Sequence, residues 1–527
     1  MNTQHSQHSQ HTADSSPQHN LATLLAARAD SDRTALTWAG GSLSYQQLVT
    51  AVGAARTWLG ERGLTPGDRV ALALPNVPAM VSLYYGALSL GAVVVPMHPL
   101  LSAREAAYQV QDAGARLLVA AAGTRVGQES EQIREEVGPQ LAVQVLSADA
   151  MFDRDAPAQQ AWEPSPVRAQ TPAVILYTSG TTGAPKGATL THANMLSNAL
   201  TCADVFGFTA DDVIFGGLPL FHAFGQTVSM NAVLAAGAAI ALLPRFTPGG
   251  AAQLCATAGV TIFAAVPTMY GALASYLGTD PALAHRLKGR VRFGISGGAA
   301  LPASVHADIE RLVACPIYEG YGLSETAPVV SFNRAEYGLV IGSVGRALPG
   351  VEVKVVDEEG QPLATGEAGE LWVAGPNVMA GYWGRPEASA AVLKGRWFAT
   401  GDIARLDEEG NIFIVDRLKD MILRNGNSVY PREIEDVLYT NPALQLVAVV
   451  GQPSDVVGEE IVAVVVPRQP LDAAQQAELI ASLDQLARQE LAAYKYPRRY
   501  IFKEELPLGP TGKILKRVLA EALTQES

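Results

Sequence analysis

Apolar and polar positions along the first half of the chain predict helices and buried strands in turn. Ser44–Arg62 has apolar residues at helical spacing, whereas Arg69–Leu74, Ala115–Ala121 and Ala173–Tyr177 are short runs rich in valine, alanine and leucine. Short apolar runs between amphipathic helices are typical of parallel strands that are covered on both faces. The pattern therefore predicts βαβ units and an α/β fold, and it continues through Val260–Val266 and Val291–Ile295.

One uncharged segment, Ala79–Met97, approaches the roughly 20 apolar residues that a membrane-spanning helix needs. It divides at Gly91 into a stretch with helical spacing, Ala79–Leu90, and a β-branched run, Ala92–Pro96. Thr227–Leu243 divides in the same way. A buried helix followed by a buried strand explains both segments, and we expect no integral membrane contact.

The pattern changes after Gly342. Val351–Asp357, Gly369–Ala374 and Asn411–Val415 are short strand-like runs that are separated by turns rich in glycine, aspartate and glutamate. Such spacing is typical of a small β-rich module.

The last part of the chain follows a run of charges, Asp416–Asp420, and reads as a compact α+β unit in which Pro431 begins a helix. The predicted organisation is a disordered tail over 1–20 and an N-terminal body over 21–416. This body comprises two βαβ-type subdomains and a small β-rich subdomain. A small mobile C-terminal domain, the lid, is expected over 417–527.

The composition is that of a large folded protein with an acidic surface. The chain has 527 residues, 48% of them hydrophobic and 17% charged, and its 38 lysines and arginines stand against 51 acidic residues, a net charge of −13. This length suggests several domains, and the apolar content supplies buried cores. Since an acidic chain lacks the basic surface that nucleic acids attract, we expect no nucleic-acid partner.

The cysteines and the N-terminus indicate a cytoplasmic protein. Cys202, Cys255 and Cys315 are far apart and form no CxxC pair, which excludes a disulfide framework and a zinc cluster of cysteines. Met1–Asn20 is polar and rich in glutamine, serine and histidine, without the apolar core of a secretory signal.

The stretch Tyr177–Gly187 follows a predicted buried strand and combines glycines, hydroxyls and a lysine. Glycines let backbone N–H groups close around an anion, and hydroxyl and ammonium groups add donors. The motif is not a Walker A loop, because Gly187 rather than Ser or Thr follows the lysine. It predicts a polyphosphate-binding loop made of Thr178, Ser179, Gly180, Thr181, Thr182, Gly183 and Lys186.

A second candidate nucleotide site centres on Tyr321, which lies between Gly320 and Gly322. An aromatic side chain between two glycines offers a flat face on which a purine can stack. Nearby, Glu325 is a hard oxygen ligand suited to Mg²⁺, and Thr326 supplies a hydroxyl donor to phosphate.

Two further motifs are weaker on their own. Asp402 ends the apolar run Trp397–Gly401 and could accept both hydroxyls of a ribose. Lys513 lies on a predicted turn between the apolar residues Leu508 and Ile514, so it could be carried into a cleft. Taken singly, the first pattern is more typical of a glycine–aspartate turn, and the second is more typical of an ordinary exposed lysine.

Taken in order, the four motifs, with Asp416–Asp420 between the last two, resemble the adenylate-forming superfamily. That group holds acyl-CoA synthetases, peptide-synthetase adenylation domains and luciferases. The resemblance extends from about Leu21 to Leu523, and Tyr318–Val330 is most similar to medium- or long-chain fatty acyl-CoA ligases. It implies ATP-dependent activation of a carboxylic acid to acyl-AMP with release of pyrophosphate, followed by transfer to CoA.

The resemblance also implies which residues contact ATP. Thr178–Lys186 would hold the β- and γ-phosphates, and Tyr321 would lie against the adenine. Asp402 and Arg417 would hold the ribose, and Thr326 would contact the α-phosphate.

The catalytic residues implied are Glu325, which would bind Mg²⁺, Thr182 of the phosphate loop, and Lys513. Lys513 would bridge the carboxylate and the α-phosphate during adenylation. Lys419 would lie at the hinge about which the C-terminal domain rotates between the two steps.

The choice of acid depends on the segment that begins at His222. Amino-acid-activating relatives carry an aspartate where this chain has His222, so amino acids are disfavoured. Gln226–Leu234 is uncharged, and no lysine or arginine between 187 and 244 could pair with a second carboxylate. His222 either gates the pocket or caps a helix, and Gly297 and Gly298 would border the pocket. A fatty acid is expected, and an aryl acid such as a cinnamate or benzoate is the alternative.

The acceptor thiol is less well defined by the sequence. Many CoA-using relatives have two adjacent glycines and then an asparagine near the hinge, where this chain has Asn425 and Ser428 in place of one glycine and the asparagine. CoA is expected, and the phosphopantetheine of an acyl carrier protein is the alternative.

A serine hydrolase is the alternative from another class, because Gly294–Gly298 matches GxSxG after a predicted strand. That fold needs an acid and then a histidine after the serine. His306 is the one histidine that follows Ser296, and no acid is suitably placed ahead of it.

Overall fold

The computed structural model describes residues 16–147, 150, 152, 154, 162–178, 184–454, 456–509 and 514–525. Within these residues the chain forms four β-sheets with helices packed around them. Three of the sheets belong to a large N-terminal body and the fourth to a smaller C-terminal unit, so the mixed α/β class that the sequence predicts is confirmed.

The first sheet of the body carries the predicted phosphate motif. Its strands, in the described residues, have the spatial order β18-β8-β7-β4-β3-β5-β6. They are β3 (Arg69–Ala73), β4 (Val93–Pro96), β5 (Leu117–Ala121), β6 (Ala142–Leu146), β7 (Pro172–Thr178), β8 (Lys186–Thr191) and β18 (Gly381–Tyr382). Strands β3 to β7 pair in parallel, whereas β8 is antiparallel to both β7 and β18.

The second sheet carries the predicted adenine motif. Its order is β15-β14-β13-β12-β11-β9-β10-β1-β2. The strands are β1 (Thr34–Trp38), β2 (Gly41–Ser44), β9 (Val213–Gly216), β10 (Ala239–Leu242), β11 (Ile262–Ala265), β12 (Phe293–Ser296), β13 (Ile317–Gly322), β14 (Val329–Phe332) and β15 (Arg346–Ala347).

Helices cover both sheets. Those of the body are α1 (Thr23–Ala26), α2 (Tyr45–Glu61), α3 (Pro78–Leu90), α4 (Ala103–Ala113), α5 (Arg125–Gln128), α6 (Ser130–Val137), α7 (His192–Val205), α8 (Ala223–Gln226), α9 (Ala232–Ala236), α10 (Pro248–Ala258), α11 (Pro267–Thr279), α12 (Pro281–Leu287), α13 (Ala303–Val313) and α14 (Pro386–Val392). One continuous core joins the two sheets through α2 and α3, for example at Leu48 and Tyr84, which are fully buried.

The uncharged segment from Ala79 to Met97 forms all of α3 after Pro78 and the strand β4, both buried, as the sequence predicts. Gly91 ends α3 in the left-handed conformation, with φ of 82°. Among the residues that the structure describes, no helix combines the length and apolarity needed to cross a bilayer.

The third sheet is the small β-rich module. It consists of β16 (Glu352–Val356), β17 (Gly369–Ala374), β19 (Leu393–Lys394), β20 (Trp397–Leu406) and β21 (Ile412–Arg417). Strands β20 and β21 form an antiparallel hairpin in which Asp402 is the cross-strand partner of Arg417.

The C-terminal unit follows a turn at 418–420. Its elements are β22 (Ile422–Arg424), β23 (Asn427–Val429), α15 (Pro431–Leu438), β24 (Leu444–Ser454), β25 (Gly458–Pro467), α16 (Ala473–Glu490), β26 (Arg499–Phe502) and α17 (Lys516–Gln525). Helix α15 is tied to the end of the third sheet, since the backbone N–H of Arg432 donates to Asp416 Oδ2 at 2.9 Å.

The two large sheets are mixed, where the sequence pattern predicts parallel ones. The reason is visible between β7 and β8. The connection from 179 to 185 is too short for a crossover helix, so β8 turns back as the second arm of a hairpin. Asp402, which follows the apolar run Trp397–Gly401, lies inside the long strand β20.

Candidate active site

One large cleft, with a volume of about 1490 Å³, collects most of the residues that the sequence singles out. The two large sheets, the β-rich module and the C-terminal unit all contribute to its lining, the last through Leu515. The predicted site residues that line it are Thr178, Lys186, His222, Gly297, Gly298, Gly320, Tyr321, Gly322, Glu325, Asp402, Arg417 and Lys419.

The predicted ribose site is a compact group of three side chains. Asp402 is 4% exposed. Tyr321 donates its hydroxyl to Asp402 Oδ2 at 2.5 Å, and Arg417 Nε lies 3.2 Å from Asp402 Oδ1. An ionised carboxylate has about four acceptor sites, so Asp402 retains capacity for the hydroxyls of a ribose.

The fold brings these groups together from distant parts of the chain. Asp402 and Arg417 face each other across the β20–β21 hairpin, while Tyr321 comes from β13 of the second sheet. Burial is the largest single influence on the pKa of Arg417 and lowers it, but Asp402, Asp420, Tyr321 and Glu325 together outweigh burial and raise the pKa. Arg417 therefore stays charged in the lining of the cleft.

The two glycines beside Tyr321 are required by the close approach of β14 to β13. A Cβ added at Gly322 would lie 1.9 Å from the carbonyl oxygen of Pro328, and one at Gly320 would lie 2.9 Å from Cδ2 of Phe332. No side chain fits at either position. Tyr321, between them, lines the cleft.

Glu325, the predicted Mg²⁺ ligand, is 9% exposed and faces the cleft. Tyr382 donates its hydroxyl to Glu325 Oε1 at 2.9 Å, and the Tyr382 ring lies 5.2 Å from Lys186 Nζ. Burial raises the pKa of Glu325, and the hydrogen bond from Tyr382 counteracts that rise because it stabilises the ionised carboxylate.

Thr326 does not take the place that the sequence predicts. It is fully buried and does not belong to the cleft lining. Its hydroxyl donates to the carbonyl oxygen of Pro328 at 2.5 Å and accepts from the backbone N–H of Leu323 at 3.0 Å. The hydroxyl is thus committed to the turn that carries Glu325, and in this structure it is not available to a phosphate.

His222 both caps a helix and lines the cleft, so the two readings of the sequence are compatible. Its Nδ1 accepts from the backbone N–H of Phe224 at 3.3 Å at the start of α8. Burial lowers its pKa to about 4, so the imidazole is neutral near pH 7. Beside it, the rings of Phe221 and His98 meet edge to face with centroids 4.7 Å apart.

Gly297 and Gly298 lie in the cleft wall just after β12. Glu319, which had no predicted role, stabilises this wall. Its Oε1 accepts a hydrogen bond from the backbone N–H of Leu301 at 2.9 Å. Burial raises the pKa of Glu319 to about 7.

Some predicted residues lie outside the described part of the chain. They are Ser179, Gly180, Thr181, Thr182 and Gly183 of the phosphate loop, and Lys513. Thr178 and Lys186, which border the loop, are paired in the antiparallel register of β7 and β8.

The alternative of a serine hydrolase gains no support. Ser296 is fully buried at the end of β12, where its Oγ has no hydrogen-bond partner among the described residues. His306 lies 4.0 Å from Glu310 on its own helix and does not line the cleft, although Ser296 does.

Sequence reasoning missed Tyr382 and two arginines. Arg104 and Arg245 also line the cleft, and both lie outside the segment 187–244 that has no lysine or arginine. Tyr382 carried no sequence signal, since its contact with Glu325 spans 57 residues.

The chain matches two family models. Residues 25–383 match the model described as AMP-binding enzyme, and residues 433–513 match the model described as AMP-binding enzyme C-terminal domain.

Two curated relatives cover nearly the whole chain. The long-chain-fatty-acid–CoA ligase of Bacillus subtilis (strain 168) is 35% identical over 528 residues, which are 94% of this chain and 92% of the relative. The feruloyl-CoA synthase of an Amycolatopsis species is 36% identical over 495 residues, which are 93% of this chain and 96% of the relative. The crystal structure of ATP-bound MatB from Rhodopseudomonas palustris matches with a TM-score of 0.86 at 33% identity, covering 96% of this chain and 99% of that one.

Proposed function

Because the chain belongs to the AMP-binding enzyme family, the adenylate-forming acyl- and aryl-CoA ligases, we propose that it converts a medium- or long-chain fatty acid to its CoA thioester. In the first step a carboxylate oxygen attacks the α-phosphorus of ATP, the bond from that phosphorus to the β-phosphate bridge breaks, and pyrophosphate leaves. In the second step the CoA thiolate attacks the acyl carbon, a C–S bond forms, and AMP leaves as the C–O bond breaks. The thiol proton passes to solvent.

The observation that carries this proposal is a single cleft with two kinds of lining. One part holds the charged and polar group of Tyr321, Glu325, Asp402 and Arg417. The other part is apolar and suits an acyl chain. Its lining includes Phe206, Phe224, Val228, Val266, Met269 and Phe332.

In the adenylation step the residues of the cleft orient ATP and offset its charge. Asp402 and Arg417 would fix the ribose, and Tyr321 would lie against the adenine. Lys186 and Lys513 would face the phosphates, where negative charge repels an incoming carboxylate. Removing one such donor from a reacting phosphate typically costs on the order of 10²–10³ in rate.

The donor set fits Mg²⁺. The described residues contain no group of three or more histidine, cysteine, aspartate and glutamate side chains that could hold a metal by themselves. Magnesium bound with ATP usually takes one or two carboxylates and completes its shell with phosphates and water. Glu325 would be that carboxylate, and the ion would supply further charge screening at the phosphates.

An aryl-CoA ligase is the second candidate, favoured by the feruloyl-CoA synthase of Amycolatopsis at 36% identity. The same apolar lining accepts a ring as well as a chain. Fatty and aryl acids therefore have to be compared on the enzyme itself.

The test is a thioester assay with purified enzyme, ATP and Mg²⁺, offering fatty acids from C4 to C18 and aryl acids, with either CoA or holo acyl carrier protein. We expect AMP release and acyl-CoA with the longer fatty acids. AMP release with aryl acids alone would identify an aryl-CoA ligase. Acylation of carrier protein alone would contradict CoA as acceptor, and no AMP release with any acid would overturn the proposal.

The role of Lys513 is tested by separating the two steps. Lys513→Ala should lose acid-dependent ATP–pyrophosphate exchange by about 10²-fold or more and keep thioester formation from a supplied acyl-adenylate. Lys288→Ala, at a position outside the cleft lining, is the control. Equal loss of both steps in Lys513→Ala would contradict the assigned role.

A further inference from the structure

Helix α4 runs beside the cleft and presents one face to it. Arg104, Tyr108 and Asp112 follow one another at intervals of four residues, which places them on the same side of the helix. Arg104 and Tyr108 both line the cleft. None of these three residues belongs to the motifs that the sequence analysis singled out.

This face of α4 holds both strands that flank the predicted phosphate loop. On one side, the hydroxyl of Tyr177 in β7 donates to Asp112 Oδ2 at 2.8 Å. On the other side, the hydroxyl of Tyr108 donates to the carbonyl oxygen of Pro185, just before β8, at 2.8 Å. Arg385 adds an ion pair to Asp112 at 2.6 Å. The helix is therefore fixed against the place where the two strands enter and leave the loop.

Arg104, one turn before Tyr108, has a free guanidinium. Its side chain is exposed, and among the described residues no carboxylate or carbonyl group pairs with it. The adjacent carboxylate is already engaged, because Glu105 Oε2 accepts from the backbone N–H and the hydroxyl of Ser102 at 2.9 and 2.6 Å. Arg104 is therefore a cation of the cleft lining without a partner among the described residues, one helical turn from the contact between Tyr108 and Pro185.

We propose that Arg104 binds a phosphate group of a substrate in the cleft. A guanidinium donates two parallel N–H bonds to phosphate oxygens and keeps its charge at every pH of interest. Since the same helix face holds both flanks of the predicted phosphate loop, the polyphosphate of ATP is the favoured source. The phosphates of CoA are the other source of the same chemistry. The inference rests on the proposed function and adds a cation to its phosphate site.

The first measurement needs no turnover. Binding of magnesium pyrophosphate to the full-length protein is measured by calorimetry for the wild type, Arg104→Ala and Arg104→Lys. We expect the alanine variant to bind about tenfold more weakly and the lysine variant to lie between, because lysine keeps the charge and loses the two-pronged geometry. The difference should shrink as salt is added, since the guanidinium is exposed.

The second measurement separates the sources of phosphate. The KM of ATP is measured in acid-dependent ATP–pyrophosphate exchange, and the KM of CoA is measured in thioester formation from a supplied acyl-adenylate. A rise of about tenfold for ATP alone in Arg104→Ala supports the polyphosphate as the ligand, and a similar rise for CoA alone supports the phosphates of CoA. Unchanged pyrophosphate binding together with unchanged values for ATP and CoA would overturn the proposal.

Two control variants test whether position matters. Arg116→Ala, just beyond the other end of α4, removes an exposed arginine that pairs with Asp68 at 3.1 Å and lies outside the cleft lining. It should change nothing. Arg245→Ala removes the other unpaired guanidinium of the cleft among the described residues. An equal loss in Arg245→Ala and Arg104→Ala would point to the general potential of the cleft and would contradict a contact from α4.

The failure of this inference differs from the failure of the proposed function. If no acid supports exchange in the wild type, the proposed ligase activity is wrong, yet the calorimetric comparison still decides whether Arg104 binds phosphate. If exchange, pyrophosphate binding and the KM of CoA are all equal in the wild type and in Arg104→Ala, the ligase stands and the role of Arg104 does not.

Discussion

Replacing Asp402 with asparagine tests the proposed ribose site, because the substitution keeps the shape of the side chain and removes its charge. In the structure Asp402 accepts from Tyr321 and pairs with Arg417. We expect Asp402→Asn to weaken ATP binding while the protein remains folded.

The expected loss of ATP binding follows from the hydrogen bonds that the ribose hydroxyls would donate to Asp402. A hydrogen bond from a hydroxyl to a charged group contributes about 1.5–3 kcal/mol, against about 0.5–1.5 kcal/mol for a neutral pair. If both ribose hydroxyls lose a charged acceptor, the net loss is about 1.5–3 kcal/mol, which corresponds to about 10-fold to 100-fold in the KM of ATP.

The cost in stability is smaller. Removing one partner of a fully buried ion pair costs about 3–5 kcal/mol, whereas an exposed pair is worth about 0–1 kcal/mol. The side chain of Arg417 is 41% exposed while that of Asp402 is 5% exposed, so water screens one side of the pair. We expect a loss of about 1–2 kcal/mol, intermediate between these limits. Thermal unfolding of Asp402→Asn measures it.

The decisive assay compares ATP with 2′-deoxy-ATP in acid-dependent pyrophosphate exchange. The wild type should prefer ATP clearly, and Asp402→Asn should lose most of that preference, because the variant no longer offers a charged acceptor to the 2′-hydroxyl. Asp407→Asn is the matched control. Asp407 lies at the turn of the same β20–β21 hairpin, accepts from the backbone N–H of Asn411 at 2.7 Å, and is outside the cleft. An undiminished preference for ATP in Asp402→Asn would refute the assignment.

Three further substitutions give distinct outcomes. Tyr382→Phe removes the hydroxyl that donates to Glu325, so the Mg²⁺ concentration for half-maximal exchange should rise about tenfold. An unchanged Mg²⁺ concentration would contradict the orienting role of this hydroxyl. Gly322→Ala places a Cβ 1.9 Å from the Pro328 carbonyl oxygen, so the midpoint of thermal unfolding should fall by several degrees. An unchanged midpoint would contradict the tight packing of β14 on β13. His222 has a pKa of about 4 in the folded protein, below the unfolded value of about 6.5. The unfolded state therefore gains a proton first, and stability is lost as pH falls from about 6.5 to 4. In His222→Asn the thermal midpoint should fall less over this pH range.

The sequence predicts the site best where its residues lie together in a motif. Tyr321 and Glu325 were found because both belong to one short stretch, and their neighbourhood in the cleft follows from the turn at the end of β13. Arg417 was expected beside Asp402, and the cross-strand register of β20 and β21 supplies the physical reason.

Contacts between distant residues could not be predicted in this way. Tyr382 contacts Glu325 because β18 joins the first sheet beside β8. Helix α4 contacts both flanks of the phosphate motif because it packs on a face of the same sheet. Thr326 belongs to the same motif as Tyr321, but its contacts in the fold do not follow from the motif. Its spacing after Tyr321 suits a phosphate ligand, yet in the folded chain its hydroxyl is taken by Pro328, and which acceptor a hydroxyl finds depends on the turn rather than on the motif.

The β20–β21 hairpin both carries the predicted ribose-binding pair and leads into the C-terminal unit. Asp402 and Arg417, which would grip the ribose, are paired across it, and the chain leaves it directly for the turn at 418–420 that leads to the C-terminal unit. Nucleotide held at this pair would therefore stiffen the last residues before that turn. Binding of ATP or AMP should therefore slow amide hydrogen exchange in residues 416–420, which lie next to the nucleotide site in the chain.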